Sequence, residues 1–160
     1  MITVQVEYAA PLSYLSNEDF QLWANTALIE RISDAELCIR IVDEAEMIEL
    51  NSNYRQKSGP TNVLSFPAEI PEEVGLSLLG DIAICAQVVE REAREQSKEN
   101  LAHWAHMVVH GCLHLAGYDH INESEAAEME SFEIEVLERL GYPNPYMQID
   151  KQVGGTATAQ

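Results

Sequence analysis

The chain has 160 residues, of which 46% are hydrophobic and 22% charged, a composition that suits one domain with a sizeable core and excludes a wholly disordered chain. Nine Lys and Arg against 27 Asp and Glu give a formal net charge of -18, which argues against non-specific attachment to membranes or nucleic acid. No apolar run approaches the ~20 residues of a membrane span, and no secretory signal is visible. The three cysteines are widely spaced, which indicates reduced thiols and predicts a cytoplasmic protein.

The first half of the chain alternates between strand and helix patterns. Residues 2–6 switch between apolar and polar at the period of a strand, and so do residues 37–41. Asn17 and Asp43 each precede a helical pattern, as helix N-caps do. We therefore predict a strand, a helix, a second strand and a second helix that ends near Tyr54.

The second half predicts two further strands and then three helices. Strands are predicted at 61–66 and 78–85, separated by a loop that contains two prolines. Helices are predicted at 86–96 and 101–115, and a last helix begins after Asn122.

This order of elements predicts a single α+β domain, because the strands come early and the helices late. We expect a small mixed sheet of about four strands, packed against about five helices. The domain is predicted to span residues 1–146, and the tail over 147–160 is predicted to be disordered.

All five histidines lie between residues 103 and 120, and three of them have the spacing of a metal site. His110 and His114 are four residues apart on a predicted helix, so both imidazoles project from one face about 6 Å apart along the axis. Gly117 can end that helix in a left-handed conformation, and the chain can then bring His120 back to the same point. Three imidazoles with an open fourth position suit one divalent ion, most simply Zn²⁺, at the C-terminal end of the histidine-rich helix.

The histidine spacing leaves alternatives to an open metal site. The histidines could lie on a helix face without a metal. A closed structural zinc site needs a fourth ligand, but Cys112 lies about 200° around the helix from His110 and is expected to be a small packed residue. The spacing also equals that of zinc proteases with H-E-x-x-H-x-x-G-x-x-H, although Gly111 stands where those enzymes have the glutamate that acts as general base. We favour an open site that does not hydrolyse peptides.

The histidine block, HGCLHLAGYDH over residues 110–120, resembles the YbeY family of bacterial endoribonucleases, also described as rRNA maturation factors. Further matching segments are AHWAHM at 102–107, LNSNYRQK at 50–57, TNVLSFP at 61–67 and LGDI at 79–82. The resemblance implies that His110, His114 and His120 bind the metal and that Arg55 is the catalytic arginine.

The resemblance also implies a function. It implies a metal-dependent, single-strand-specific endoribonuclease that matures the 3′ end of small-subunit (16S) rRNA and takes part in ribosome quality control. The implied partners are single-stranded precursor rRNA, the small ribosomal subunit and assembly factors, with neither DNA nor a membrane. The ion could lower the pKa of a water or polarise a phosphoryl oxygen, and the guanidinium of Arg55 suits a phosphate. Without the resemblance, an exposed cation at a helix C-terminus is the better interpretation of Arg55, and the resemblance reverses this preference.

Several other polar residues admit more than one role. His103 and His106 extend the helical stripe of histidines and are expected to make partly buried polar contacts or to line the cleft. Asp81 and Asp119 could orient ligating imidazoles, although stabilising a turn is the simpler role for Asp119.

The distribution of charge predicts weak intrinsic affinity for RNA, because phosphate binding draws on Lys and Arg. Basic residues that could form one local positive cleft are Arg31, Arg40, Arg55 and Lys57. We interpret the acidic residues of the last helix as a solvated face; they are Glu123, Glu125, Glu128, Glu130, Glu133, Glu135 and Glu138.

Two other functions remain open from the sequence. The acidic balance suits a ribosome assembly factor whose metal site is largely structural. A metallohydrolase of another substrate is the other alternative, and the glycine at position 111 argues against the peptidase version.

Overall fold

The computed structural model describes residues 1–68, 78–119 and 121–147, which contain four strands and five helices. The strands are β1 (Ile2–Tyr8), β2 (Ala35–Val42), β3 (Val63–Pro67) and β4 (Leu78–Cys85). The helices are α1 (Asn17–Leu28), α2 (Glu44–Arg55), α3 (Ala86–Glu95), α4 (Asn100–Leu115) and α5 (Glu123–Arg139). The predicted fold class, with its number of strands and helices, is confirmed.

The sheet is mixed and has the strand order β1-β2-β4-β3. Strands β1, β2 and β4 are parallel, whereas β3 runs antiparallel to β4 at one edge. Because side chains alternate between the two faces of a sheet, Ile39 and Ile82 face the larger core, formed with α1, α4 and α5. Val42 and Ala83 face the smaller core, where Met47 of α2 covers them.

The helix starts agree with the sequence except at α1. Asp43 accepts a hydrogen bond from the backbone N–H of Glu46, and Asn122 caps α5 in the same way, as predicted. The cap of α1 is Ser16 and not Asn17, because the Ser16 side chain accepts from the backbone N–H of Asp19 and forms a reciprocal capping box with it.

A side chain of α1 satisfies backbone groups of β1, the strand at the other edge of the sheet. The Gln21 amide nitrogen donates to the carbonyl of Ile2 at 2.6 Å, and its amide oxygen accepts from the N–H of Val4 at 3.1 Å. Gln21 therefore pairs with this strand much as a further strand would.

Helix α4 lies across the sheet and positions the predicted metal-binding histidines. Trp104 and Val108 are fully buried, and a Cβ atom added at Gly111 would lie 3.0 Å from two carbons of Ile82 on β4. Position 111 therefore faces the sheet and lacks room for the glutamate of a zinc protease. None of the described helices is both long and apolar enough to cross a membrane.

Candidate metal centre

The turn after α4 has the geometry that the sequence predicts. Gly117 has a φ of +106°, which favours glycine, and its N–H donates to the carbonyl of His114 at 3.1 Å. The N–H of Tyr118 donates to the carbonyl of Leu113 at 3.1 Å. These two bonds form a Schellman motif, which ends α4 and turns the chain away from the helix axis.

His110 and His114 lie side by side at the C-terminal end of α4, and neither is fully buried. Their ring centroids are 5.8 Å apart. Two imidazoles on one four-coordinate ion, with metal–nitrogen distances of about 2.0–2.1 Å, have centroids about 5–6 Å apart, so the two rings fit one ion. Asp119 lies near the second ring, with its Oδ1 atom 3.7 Å from Nε2 of His114.

Glu133 of α5 is the residue that the sequence analysis missed. Its side chain is fully buried, and its two oxygens contact two histidines of α4. One oxygen is 2.8 Å from Nε2 of His106, and the other is 2.6 Å from Nδ1 of His110. The interpretation of this residue as part of a solvated face is therefore wrong, because α5 turns it toward α4.

The contact with Glu133 sets the tautomer of His110. Burial by itself would raise the pKa of Glu133, but the hydrogen bonds and charges of His106 and His110 outweigh it and hold the pKa below the usual range. An ionised carboxylate only accepts hydrogen bonds, so Nδ1 of His110 carries the proton. Nε2 then carries the lone pair, which is the state of an imidazole that binds a metal and is oriented by a carboxylate. The residues present therefore fit a divalent ion.

Tyr146, which follows α5, completes the buried polar group around Glu133. Its hydroxyl donates to the same Glu133 oxygen that His106 contacts, and it lies 3.3 Å from Nε2 of His106. Burial, together with the neighbouring carboxylate, raises the pKa of Tyr146, so the phenol stays protonated. The last described segment of the chain is thereby tied to α4.

A pattern in the sequence could have revealed Glu133. It lies four residues after Met129 and three before Val136, which places it within the apolar stripe of α5. A carboxylate in such a stripe requires a buried partner, and the histidines of α4 are the available partners.

The third predicted ligand, His120, lies outside the described residues. Within residues 1–68, 78–119 and 121–147 no three metal-binding side chains converge on one point. The ligand set therefore remains a prediction, for which His110 and His114 are in place. Cys112 is fully buried, and burial raises its pKa to about 12, in agreement with a small packed residue.

His103 and His106 make the buried polar contacts expected of them. Nε2 of His103 lies 2.9 Å from an oxygen of Glu92, which also accepts from the Asn62 amide. The rings of His103 and His106 are 6.2 Å apart, and those of His106 and His110 are 6.4 Å apart. The four described histidines of α4 therefore form one continuous stripe.

Arg55 lies in the last turn of α2 and is exposed. Its side chain has no hydrogen bond or ion pair with any other residue in the described part of the chain. The loop that follows is held by Asn51, whose buried amide donates to the carbonyl of Gly59. The neighbouring Tyr54 ring packs on Phe66 of β3, with centroids 4.3 Å apart. A side-chain guanidinium without a partner here is available to a substrate.

Strand β3 connects this region to α4. Ser65 donates from its hydroxyl to the carbonyl of Gly111 at 3.3 Å, whereas Phe66 faces the opposite side of the strand, toward α2. Arg55 is thus placed at the β3 edge of the sheet, the same edge on which α4 rests.

Three other residues are not placed as the sequence suggested: Asp81, Arg40 and Arg31. Asp81 pairs in register with Cys38 and shares its sheet face, while its neighbour Ile82 faces α4, so Asp81 does not orient the histidines. Arg40 is on the same face as Asp81, in ion pairs with Glu7 and Glu46.

Arg31 lies elsewhere again, with its guanidinium carbon 4.4 Å from the ring centroid of Phe132. The basic residues Arg31, Arg40 and Arg55 consequently do not form one positive cleft.

Comparison with known proteins gives the family. Residues 9–141 match the family model described as Endoribonuclease YbeY, which is most of the chain. The chain belongs to the YbeY endoribonuclease family.

A solved structure supports the same fold for this family member. The solution structure of the Thermotoga maritima protein TM1509 is 28% identical to this chain and has a TM-score of 0.58. The match covers 88% of this chain and 92% of the other. Family membership supports an endoribonuclease role, in rRNA maturation, for this chain.

Proposed function

We propose that this chain is a metal-dependent, single-strand-specific endoribonuclease that matures the 3′ end of small-subunit (16S) rRNA and takes part in ribosome quality control. The proposal combines membership of an endoribonuclease family with the arrangement of His110, His114 and Glu133. The observation that carries it is the buried carboxylate on Nδ1 of His110, because a hydrogen bond to that nitrogen orients a ligating imidazole. Its partners would be precursor rRNA, the small ribosomal subunit and assembly factors, in the cytoplasm.

The proposed metal ligands are His110, His114 and His120, with Zn²⁺ as the ion. When bound, the ion supplies a Lewis acid that polarises an oxygen at the reacting phosphate. The chain contributes fixed ligand geometry through the Glu133 contact and the rigid end of α4. Arg55 is proposed to bind the phosphate through its planar guanidinium, which matches two phosphate oxygens at once and stabilises the charge that grows during cleavage.

Cleavage of a labelled precursor rRNA fragment by the purified protein tests this proposal. Arg55→Ala and His114→Ala should each reduce the cleavage rate at least about 100-fold, since Arg55 is proposed to bind the reacting phosphate and His114 to hold the ion. Arg55→Lys keeps the charge but loses the planar fork, and should recover only part of the rate. Arg94→Ala, at an exposed position near the end of α3, serves as the matched control and should cleave normally. Undiminished cleavage by both test variants would refute the assignment.

A ribosome assembly factor with a structural metal is the second candidate. It is favoured by the net charge and by the engagement of several cations with acidic residues, such as Arg40 with Glu7 and Arg139 with Glu30. The two functions differ in how cleavage follows metal content. An endoribonuclease should gain activity in proportion to bound metal, whereas an assembly factor should bind the metal without gaining cleavage.

A further inference from the structure

Tyr54, in the last turn of α2, presents an aromatic ring to solvent. It is 56% exposed, more than Tyr8 and Tyr14, the other largely exposed tyrosines in the described part of the chain. The hydroxyls of those two bond to Asn17 and Glu90. The Tyr54 hydroxyl has no partner among the described residues. Of the three rings, that of Tyr54 is therefore the one that the fold leaves most open to a ligand.

The surroundings of Tyr54 fix where its ring lies. It packs against Phe66 of β3, with the ring planes at 74° to each other and the centroids 4.3 Å apart. An edge-to-face contact of this kind leaves at least one face of the Tyr54 ring uncovered by Phe66. The end of α2 is held by Asn51, whose amide donates to the carbonyl of Gly59 at 2.9 Å. A ring that is already fixed loses little conformational entropy when a flat group stacks on it.

The segment around Tyr54 has no acidic residue, although the chain as a whole is strongly acidic. No Asp or Glu occurs between Glu49 and Glu69, whereas the chain has 27 of them. The same segment contains Arg55 and Lys57, which are both exposed and form no ion pair with another described residue. Cations without acidic partners attract the phosphates of a nucleic acid, which the net charge of the chain repels.

Strand β3 connects the Tyr54 ring to the proposed metal centre. Phe66, which contacts the ring, follows Ser65, whose hydroxyl donates to the carbonyl of Gly111 in α4. Because β3 is an edge strand of the sheet, a single strand of RNA bound across this edge passes both the ring and the histidines of α4. Asp81, which pairs with Phe66 in the register, lies on β4 and so on the inner side of β3.

An exposed ring beside a free guanidinium matches the two parts of a nucleotide. Tyr54 and Arg55 are consecutive, so their Cα atoms are about 3.8 Å apart. Proteins bind single-stranded nucleic acid by stacking its bases on aromatic rings while cations contact its backbone. A base inside a duplex is paired and stacked on its neighbours, so it is not free to stack on a protein ring.

We propose that Tyr54 is the platform on which the unpaired base of a nucleotide next to the cleaved bond stacks. The inference rests on the proposed endoribonuclease function for the identity of the ligand and for the role of Arg55 at the phosphate. It adds to that function a physical reason for single-strand specificity, which the metal centre and Arg55 do not supply. Stacking of this kind tolerates any base, since every base has a flat face.

Fluorescence anisotropy of a labelled strand tests this platform without requiring cleavage. The full chain, supplied with Zn²⁺, is titrated at low salt with a short single strand of 2′-O-methyl RNA, whose blocked hydroxyls slow cleavage, and with the same strand lacking its bases. Tyr54→Leu should weaken binding of the intact strand at least about 5-fold, the lower end of the effect of removing a base–aromatic stack. It should leave binding of the abasic strand unchanged, because the phosphate contacts remain. Equal weakening for both strands, or for neither, would overturn the proposal.

Further variants separate the ring from the rest of the side chain. Tyr54→Phe keeps the ring and should bind both strands as the wild type does. Tyr8→Leu removes an exposed tyrosine from β1 and is the matched control, which should also bind normally. If the leucine variant at position 54 fails to fold, Tyr54→Trp takes its place: its larger ring should bind the intact strand more tightly and the abasic strand equally. No gain for the intact strand would contradict the assignment.

The outcome also separates this inference from the proposed function. A protein that cleaves RNA, but in which Tyr54→Leu binds the intact strand at wild-type strength, retains the function and lacks the stacking site. A protein that shows the expected loss in Tyr54→Leu but cleaves no RNA when supplied with Zn²⁺ retains the stacking site and lacks the function.

Discussion

Glu133 shows how one buried carboxylate can organise a metal centre. It joins α5 to α4 through His106 and His110, and Tyr146 adds a third hydrogen bond from the C-terminal segment. A carboxylate buried without partners would cost several kcal/mol, so these contacts are needed for α5 to pack at all. The same residue therefore serves both the stability of the fold and the orientation of a proposed ligand.

Replacement of Glu133 by alanine should weaken Zn²⁺ binding to the apoprotein by about 10–100-fold, because His110 loses the partner that orients its ring. Glu133→Gln keeps a hydrogen-bond acceptor of the same shape and should lose less. Competition with a chromogenic chelator measures the affinity directly, without any RNA. Glu130→Ala, on the exposed face of the same helix, is the control and should bind Zn²⁺ as the wild type does. Wild-type affinity in the alanine variant would show that Glu133 has only a structural role.

The ionisation of Glu92 provides a second test at a single residue, because it makes the stability of the fold depend on pH. Burial would raise the pKa of Glu92, but hydrogen bonds from His103 and Asn62 lower it below its usual value of 4.5. A carboxyl with a lowered pKa stabilises the fold above about pH 4.5. This contribution is lost as the pH falls through the folded-state pKa, because the unfolded chain takes up its proton at a higher pH than the folded chain does. Glu92→Gln should therefore lower the free energy of unfolding by about 1 kcal/mol at pH 7 and by less below pH 4.5.

Urea unfolding of both proteins at several pH values measures this difference. Glu95→Gln, at an exposed position one turn along α3, should match the wild type throughout. A deficit in Glu92→Gln that stays constant from pH 7 to below pH 4 would contradict the assigned ionisation.

The elements were predictable because their signals are local. The stripe of Phe20 and Trp23 in α1, the caps at Asp43 and Asn122 and the glycine after α4 each act within a few residues. The side-chain contacts between one element and another have no such local signal. The apolar stripe of α5 distinguishes Glu133 from the other six glutamates between 123 and 138, but the partners of its carboxylate depend on how α5 packs against α4.

Gly80 must be a glycine because of how β4 packs against β3 and α4. Its φ is +148°, and a Cβ atom there would collide with the carbonyl oxygen of Phe66 and approach a side-chain carbon of Leu115. Strand β4 can therefore lie beside β3 and under the end of α4 only if this residue has no side chain.

Gly80→Ala should lower the free energy of unfolding by about 2 kcal/mol or more, since it combines an unfavourable φ with a backbone collision. Gly59→Ala is the matched control: Gly59 has a φ of +83° but nothing within 4 Å of the added carbon, so only the cost of about 1–2 kcal/mol for the backbone conformation applies. Urea unfolding compares the two variants. An equal loss in both would show that the collision is relieved by a small shift of β3.

At the scale of the whole molecule, the net charge of -18 is the dominant property. Like charges repel one another throughout the folded chain, and salt screens this repulsion over about 10 Å at 0.1 M. Raising NaCl from 0.05 to 0.5 M should therefore increase Tm by about 2–4 °C, which corresponds to about 1 kcal/mol for a chain of this length.

A variant of α5 provides the control for this effect. Glu128, Glu130 and Glu138 are exposed, and their joint replacement by glutamine should reduce the increase of Tm with salt. A wild-type Tm that does not change, or that falls, with added NaCl would show that attractive ion pairs such as Arg40–Glu46 outweigh the repulsion.

The grouping of the basic side chains depends on the arrangement of the whole fold, and it was therefore not predictable from the sequence. Arg31 and Arg40 are close together in the sequence, yet Arg31 stacks on Phe132 of α5, against the larger core, and Arg40 lies on the opposite face of the sheet. Two residues that are close in the sequence can lie on opposite sides of the sheet when one follows a helix and the other belongs to a strand. The prediction of a shared positive cleft was therefore wrong. The histidine stripe was predictable, in contrast, because a single helix carries all of it.

The Gln21 amide at the outer edge of β1 has a consequence for how copies of this chain behave together. An edge strand with free backbone groups is a template on which another chain can add a strand and begin aggregation. Here the carbonyl of Ile2 and the N–H of Val4 are already occupied from within the molecule. In crowded solution these two groups are consequently not available to a second copy, and Gln21→Ala would expose them.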